Sequence, residues 1–221
     1  MLSALGQLLP IALAVALSSV PITLTILILL SPKRNQVAIP FLIGWVVGMA
    51  LVVVVAALGA NALPVRSIRT AQKAIGIAEI VVGAGVLVMA VLSWRRAARG
   101  PAARRSRWLD RVERMGPATA LGLAFVLNLR PKGLLLGAAA GLVIAGARQT
   151  GSDAAIVVAI YLVLASATVT VPIIATMVSP ARMQPRLVAT RDWLDHNGGH
   201  VTVVVLLMVG LVILGDGLTR L

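Results

Sequence analysis

Polar positions are sparse along this chain and fall mostly between six apolar runs, at about residues 5–30, 38–60, 72–93, 117–147, 154–178 and 200–218. At roughly 1.5 Å per residue, each run can cross much or all of the ~30 Å hydrocarbon core of a bilayer as a helix. The pattern predicts an all-α fold, a polytopic membrane protein of six transmembrane helices. Its first run continues well past signal-peptide length, and Met1 to Leu9 lack a basic region, so a retained first span is expected.

One run contradicts its own surroundings. Asn128-Leu129-Arg130-Pro131-Lys132 places two fixed cations and a proline near the middle of the fourth. A lysine or arginine at that depth costs roughly 2.5 to 3.5 kcal/mol by insertion scales, so it is expected to face a wet cavity or a partner. Pro131 frees backbone groups that lipid cannot satisfy, so protein or water must cover the break. A second half-helix beginning near Gly133 would present free N–H groups and a positive dipole end beside Arg130 and Lys132, which is the chemistry of an anion site. The alternative is a short re-entrant helix whose cations snorkel to the interface.

Composition narrows the class further. Hydrophobic residues make up 59% of the 221 positions, too many for a soluble chain. The formal charge of +13 lies in short segments flanking the apolar runs, which suits membrane topology better than nucleic acid. With no cysteine and only His196 and His200 as histidines, thiol redox and thiolate metal chemistry are excluded and no metal cluster is expected. No constellation in the spans suits an enzyme, and no cofactor is implied.

Counting cations orients the chain. Thirteen, including the eight arginines of the 95–115 loop, fall on one side and five on the other. That bias predicts a multi-pass plasma (inner) membrane protein with a cytoplasmic 95–116 loop and both termini outside. Within this loop Trp108, Leu109, Val112 and Met115 recur at helical spacing among Arg104, Arg105, Arg107 and Arg111, as in an interfacial helix that anchors the chain or meets anionic lipid. Trp193 and Leu194 suggest the same before the last span.

The halves echo each other. Ala16-Leu17-Ser18-Ser19-Val20-Pro21 lies over Val126-Leu127-Asn128-Leu129-Arg130-Pro131, each in the first span of a set of three. An odd number of spans per half inverts the second, giving a first three-helix repeat at 1–94, the basic loop, and a second, inverted repeat at 117–221. In such a plan the broken first and fourth helices meet near the midplane. Ser18, Ser19, Thr23 and Asn128 would then supply neutral hydrogen bonds and Arg130 and Lys132 charge, with helix breaks at Pro21, Pro131 and Pro172. Thr168 and Thr170 either line the same cavity or bond their own backbone. Glu79, the one acid well inside a span, either pairs with Arg130 or Lys132 or carries a coupling proton; the cost of an unpaired carboxylate favours pairing. Gly133, Gly137 and Gly141 make a smooth face suited to helix packing, and Gly44 with Gly48 would permit a homodimer.

Ala16-Leu17-Ser18-x-x-Pro21, Ser31-Pro32-x-x-Asn35, Phe41-Leu42-x-Gly44-Trp45-x-x-Gly48, Pro131-Lys132-x-Leu134-Leu135-Leu136 and the closing Gly215-Asp216-Gly217 together resemble the GAP family. These are the glycopeptidolipid- and sulfolipid-addressing proteins of the actinobacterial cell envelope, placed in the LysE transporter superfamily. The resemblance covers all six spans. It implies a role in moving envelope lipids or their precursors, without a bound cofactor. Arg130 stands where the family pattern leads one to expect asparagine, and the extra cation favours an acidic headgroup such as a phosphate or sulfate.

The expected function is therefore a secondary transporter or flippase-like exporter that moves an anionic (glyco)lipid through a midplane anion site. Its expected partners are membrane lipids, lipid-biosynthesis or export proteins, and no nucleic acid. The alternatives are a LysE-type exporter of amino acids or other small solutes, and a non-transporting membrane scaffold that recruits lipid-assembly enzymes through the arginine-rich 95–115 loop.

Overall fold

The computed structural model describes residues 2–61, 68–97, 115–147 and 151–220, which form eight helices and no strand. They are α1 (Leu2–Ala16), α2 (Ser19–Leu30), α3 (Arg34–Asn61), α4 (Ile68–Ala97), α5 (Pro117–Asn128), α6 (Pro131–Gly146), α7 (Gly151–Val178) and α8 (Pro180–Thr219). Four are long and apolar enough to cross a membrane, and the number is six if each bent pair, α1 with α2 and α5 with α6, is one span. The protein is a polytopic helical membrane protein.

Both breaks fall where the backbone chemistry requires them. Arg130 precedes a proline and is extended, with φ −68° and ψ 153°, which closes α5 and lets Pro131 open α6 at a position that needs no N–H. Ser18 is extended in the same way, with φ −70° and ψ 117°, and Pro21 falls in the first turn of α2. The pairs bend by 50° (α1/α2) and 66° (α5/α6), so the chain turns aside but does not double back. Shared between its two halves, such a bend still leaves each pair a rise of roughly 35 Å, more than a bilayer core.

Packing joins the two halves of the chain into one core. The broken pair α1/α2 packs on α7 and α8, while α5/α6 packs on α3 and α4, and α4 lies along α8. Close approach is bought with small residues: Gly44 has no room for a side chain beside the Leu121 backbone, and a Cβ on Gly83 would come within 2.9 Å of the Leu214 backbone. On the α4–α8 seam Gly76 faces Gly217, whose Cβ would meet the Gly76 carbonyl at 2.8 Å. The interior is rich in alanine, including Ala14, Ala90, Ala120, Ala124 and Ala140, while Val55, Leu58, Val81, Val163, Val178 and Leu211 are exposed. Large apolar side chains facing outward suit a lipid solvent.

Several expectations are corrected. Pro172 breaks nothing: α7 runs through it, since a single lost backbone bond is tolerated where neighbouring helices cover the freed carbonyl. The segment around Trp193 and Leu194 is no separate interfacial helix but part of α8, which anchors this end through buried Leu187. Gly44 and Gly48 are occupied by α5 within the chain and so leave no face for a second copy. The anchor residues Arg104, Arg105, Arg107, Trp108 and Arg111 lie outside the described residues.

Gly44→Val is expected to destabilise the protein by about 1–3 kcal/mol through overpacking against α5. Gly122→Ala, where a Cβ meets nothing within 4 Å, should stabilise by about 0.5–1 kcal/mol through helix propensity. Denaturant unfolding in bicelles measures both, and the reverse order would contradict the packing.

Candidate anion site at the two helix breaks

A proline-broken membrane helix leaves carbonyls without donors above the break and N–H groups without acceptors below it. Here the carbonyl side of the first break is covered: the Thr168 hydroxyl, from α7, donates to the Ala16 carbonyl at 2.6 Å. The N–H side is not covered by side chains. Ser18 occupies the N-cap of α2 and Arg130 that of α6, and neither makes a side-chain capping bond. A serine there ordinarily caps its helix, a bond worth about 1 kcal/mol.

Ser18 is diverted to the other break. The Lys132 ammonium, at the second position of α6, donates to the Ser18 hydroxyl at 3.3 Å. The two breaks therefore meet, with a half-buried lysine between two uncapped helix N-termini. Among the described residues Lys132 has no carboxylate within ion-pair distance; the ion pair found there joins Glu79 to Arg220. A lysine ammonium and two positive dipole ends are chemistry that suits an anion.

The remaining expected residues divide. Ser19 shares a 3.3 Å hydroxyl contact with Thr202 of α8, so it lies at the same junction. Thr23 and Thr170 are half-buried with no described side-chain hydrogen bond, and Arg130 is exposed, which separates it from Lys132 in environment. Asn128 is not free to bind a ligand through its amide donor: its Nδ2 donates to the Trp45 carbonyl at 3.2 Å and to the Ala124 carbonyl at 3.0 Å. It fastens α5 to α3 across Gly48, where any Cβ would lie 2.7 Å from Asn128 Nδ2. Gly133 lets α6 start directly beneath the Asn128 carbonyl, and Gly137 and Gly141 pack against α3, at Val52 and at Val53 to Ala57.

Glu79 pairs, but with neither expected cation. Arg220 Nε lies 2.9 Å from Glu79 Oε2, the carboxylate being 1% exposed. The reason is register: α4 runs along α8, which brings the start of one beside the end of the other. Arg220 also lies against Gly146, where a Cβ would be 2.8 Å from Nη1, so its charge reaches the negative end of α6. Sequence reading missed Thr202 and this use of Arg220; a hydroxyl among valines and a basic residue closing the last span were the available signals.

A family model described as Sap, sulfolipid-1-addressing protein, matches residues 8–219. The comparisons with curated proteins and with solved structures each found no match.

Arg220→Gln alone leaves a buried carboxylate uncompensated and is expected to cost about 3–5 kcal/mol. Adding Glu79→Gln should recover most of that loss, measured by unfolding in bicelles. A double variant as unstable as the single one would show that the pair is not what the arginine supplies.

Proposed function

Because the chain belongs to the Sap, sulfolipid-1-addressing protein family, we propose that it moves an anionic envelope lipid across its membrane as a secondary transporter or flippase-like exporter. The observation that carries this reading is the Lys132–Ser18 contact between two uncapped half-helices. It places a cation without a described carboxylate where the two broken spans meet. A sulfate or phosphate headgroup entering there would take the Lys132 ammonium and the open N–H groups of α2 and α6. The Ser18 hydroxyl, released from the lysine, would become a further donor.

A lateral route favours a lipid over a small solute. Between α1 and α7 runs a groove of about 160 Å³, lined by Leu8, Ala12, Tyr161 and Leu164 among others, with Leu9 and Leu164 exposed at its edge. It ends about one helical turn from Ala16, where Thr168 covers the first break. Its apolar lining suits part of an acyl chain better than the charged groups of an amino acid.

The correspondence of packing between halves supports an inverted repeat. Each broken pair lies on the second and third spans of the opposite half, so exchanging the halves reproduces these seats of the broken pairs. Rocking one broken pair against the other would expose the junction to each side in turn.

In proteoliposomes, a head-labelled sulfated or phosphorylated lipid should cross with the wild type, and Lys132→Ala should slow it by tenfold or more. Arg130→Ala should have the smaller effect. Movement of amino acids alone would support a small-solute exporter. Undiminished lipid movement by Lys132→Ala, with loss of function on neutralising the 95–115 arginines, would support a scaffold.

A further inference from the structure

A second polar cavity lies at the opposite end of α2, and nothing in the proposed transport step uses it. It is bounded by Leu29 and Leu30 at the end of α2, Arg34 at the start of α3, Thr176 near the end of α7, and Pro180 and Gln184 at the start of α8. Its volume of about 20 Å³ suffices for one water or one anion oxygen.

Thr176 is the informative residue. It is 2% exposed, and its Oγ1 has no hydrogen-bond partner among the described residues. A threonine four residues after a proline in a membrane helix can return its hydroxyl to the proline carbonyl, and Thr25 does so, donating to Pro21 O at 2.8 Å. Thr176 stands in the same relation to Pro172 and makes no such bond, so its hydroxyl is left for the cavity it lines. Leaving a buried hydroxyl unpaired is costly unless something external completes it.

The other walls point to the sign of that ligand. The α8 N-terminus is uncapped, since Ser179 makes no side-chain capping bond, and Arg34 lines the same space. Lys33, Arg182 and Arg186 are exposed on the adjoining turn and helix. Hydroxyl donor, guanidinium and helix N-terminus together suit a tetrahedral oxyanion.

We propose that this cavity is a second anion site, in which one oxygen of a phosphate or sulfate ester is held by Thr176, Arg34 and the start of α8. Its place at the ends of the spans is headgroup level, so a membrane lipid and a free anion are the two sources. The site goes beyond the transport reading and does not depend on it.

The test is thermal unfolding of the full chain in neutral detergent at fixed ionic strength, titrated with phosphatidylglycerol, phosphatidylcholine or inorganic phosphate. Phosphatidylglycerol should raise the midpoint and phosphatidylcholine should not. Thr176→Val, which keeps the side-chain shape, should raise the starting midpoint and shift the phosphatidylglycerol titration about tenfold to higher concentration. Arg34→Gln should shift it in the same direction, and both shifts should persist in a Lys132→Ala background, which removes the junction as a competing binder. Competition by inorganic phosphate would assign the site to the oxyanion itself, and a response to lipid alone would assign it to a headgroup whose tails add affinity. An undiminished response in Thr176→Val, no response in the wild type, or a Thr176→Val shift that vanishes in the Lys132→Ala background would overturn the proposal.

Discussion

Broken backbone in a medium that offers no hydrogen bonds is the constraint around which this fold is arranged. Each of the two breaks frees carbonyls and N–H groups that lipid cannot satisfy, so each needs cover from protein or water; Ser18 and Lys132 are half-buried, whereas Leu129, Arg130 and Pro131 are exposed. Thr168, from distant sequence, covers the Ala16 carbonyl, and Lys132 ties the second break to the Ser18 side chain, while the N–H side of each break keeps no side-chain cap. The interlocked packing follows, because a broken pair surrounded only by its own half would leave one side of the break facing lipid. Glycine and alanine at the seams let the helices close around the junction.

The two half-buried basic centres are treated in opposite ways. Arg220 is neutralised by Glu79 and by the end of α6, and its role there is to fasten α4, α6 and α8 at one end. Lys132 receives a neutral hydroxyl at 3.3 Å and stands beside two positive helix ends. If rigidity were all that was required of the junction, a carboxylate opposite Lys132 would supply it more cheaply than a serine does. The absence of one among the described residues is what favours the proposed binding role for Lys132 over a structural pair.

Much of this was legible in the chain, for identifiable reasons. The six apolar runs and the break at Arg130-Pro131 are local signals, since composition and the restriction before proline act within a few residues. Pro172 carries the same local signal and misleads, because whether a proline breaks a membrane helix depends on what covers the freed carbonyl. Gly198-Gly199 stands just before the last apolar run, yet α8 runs through it. The Glu79 partner and the use of Asn128 as a clamp depend on helix register between remote segments, which no local pattern encodes. Conversely, Gly133, Gly137 and Gly141 were readable as a packing face because only small residues at that spacing allow such approach.

The exchange of partners between halves also constrains how the molecule can move. Because α1/α2 rests on α7 and α8, and α5/α6 on α3 and α4, neither broken pair can tilt without shifting its seat in the opposite half. The α4–α8 seam, tight at Gly76, Gly83, Gly210 and Gly217, holds those two seats together at one edge. Motion that keeps the seam and changes the angle between the broken pairs would open the junction at one side while closing it at the other. The Lys132–Ser18 contact lies on the line along which those pairs would part. An anion that takes the lysine from the serine would remove one contact between the broken pairs, which also pack through α1 and α6, so in the proposed transport step occupancy of the junction would favour its opening.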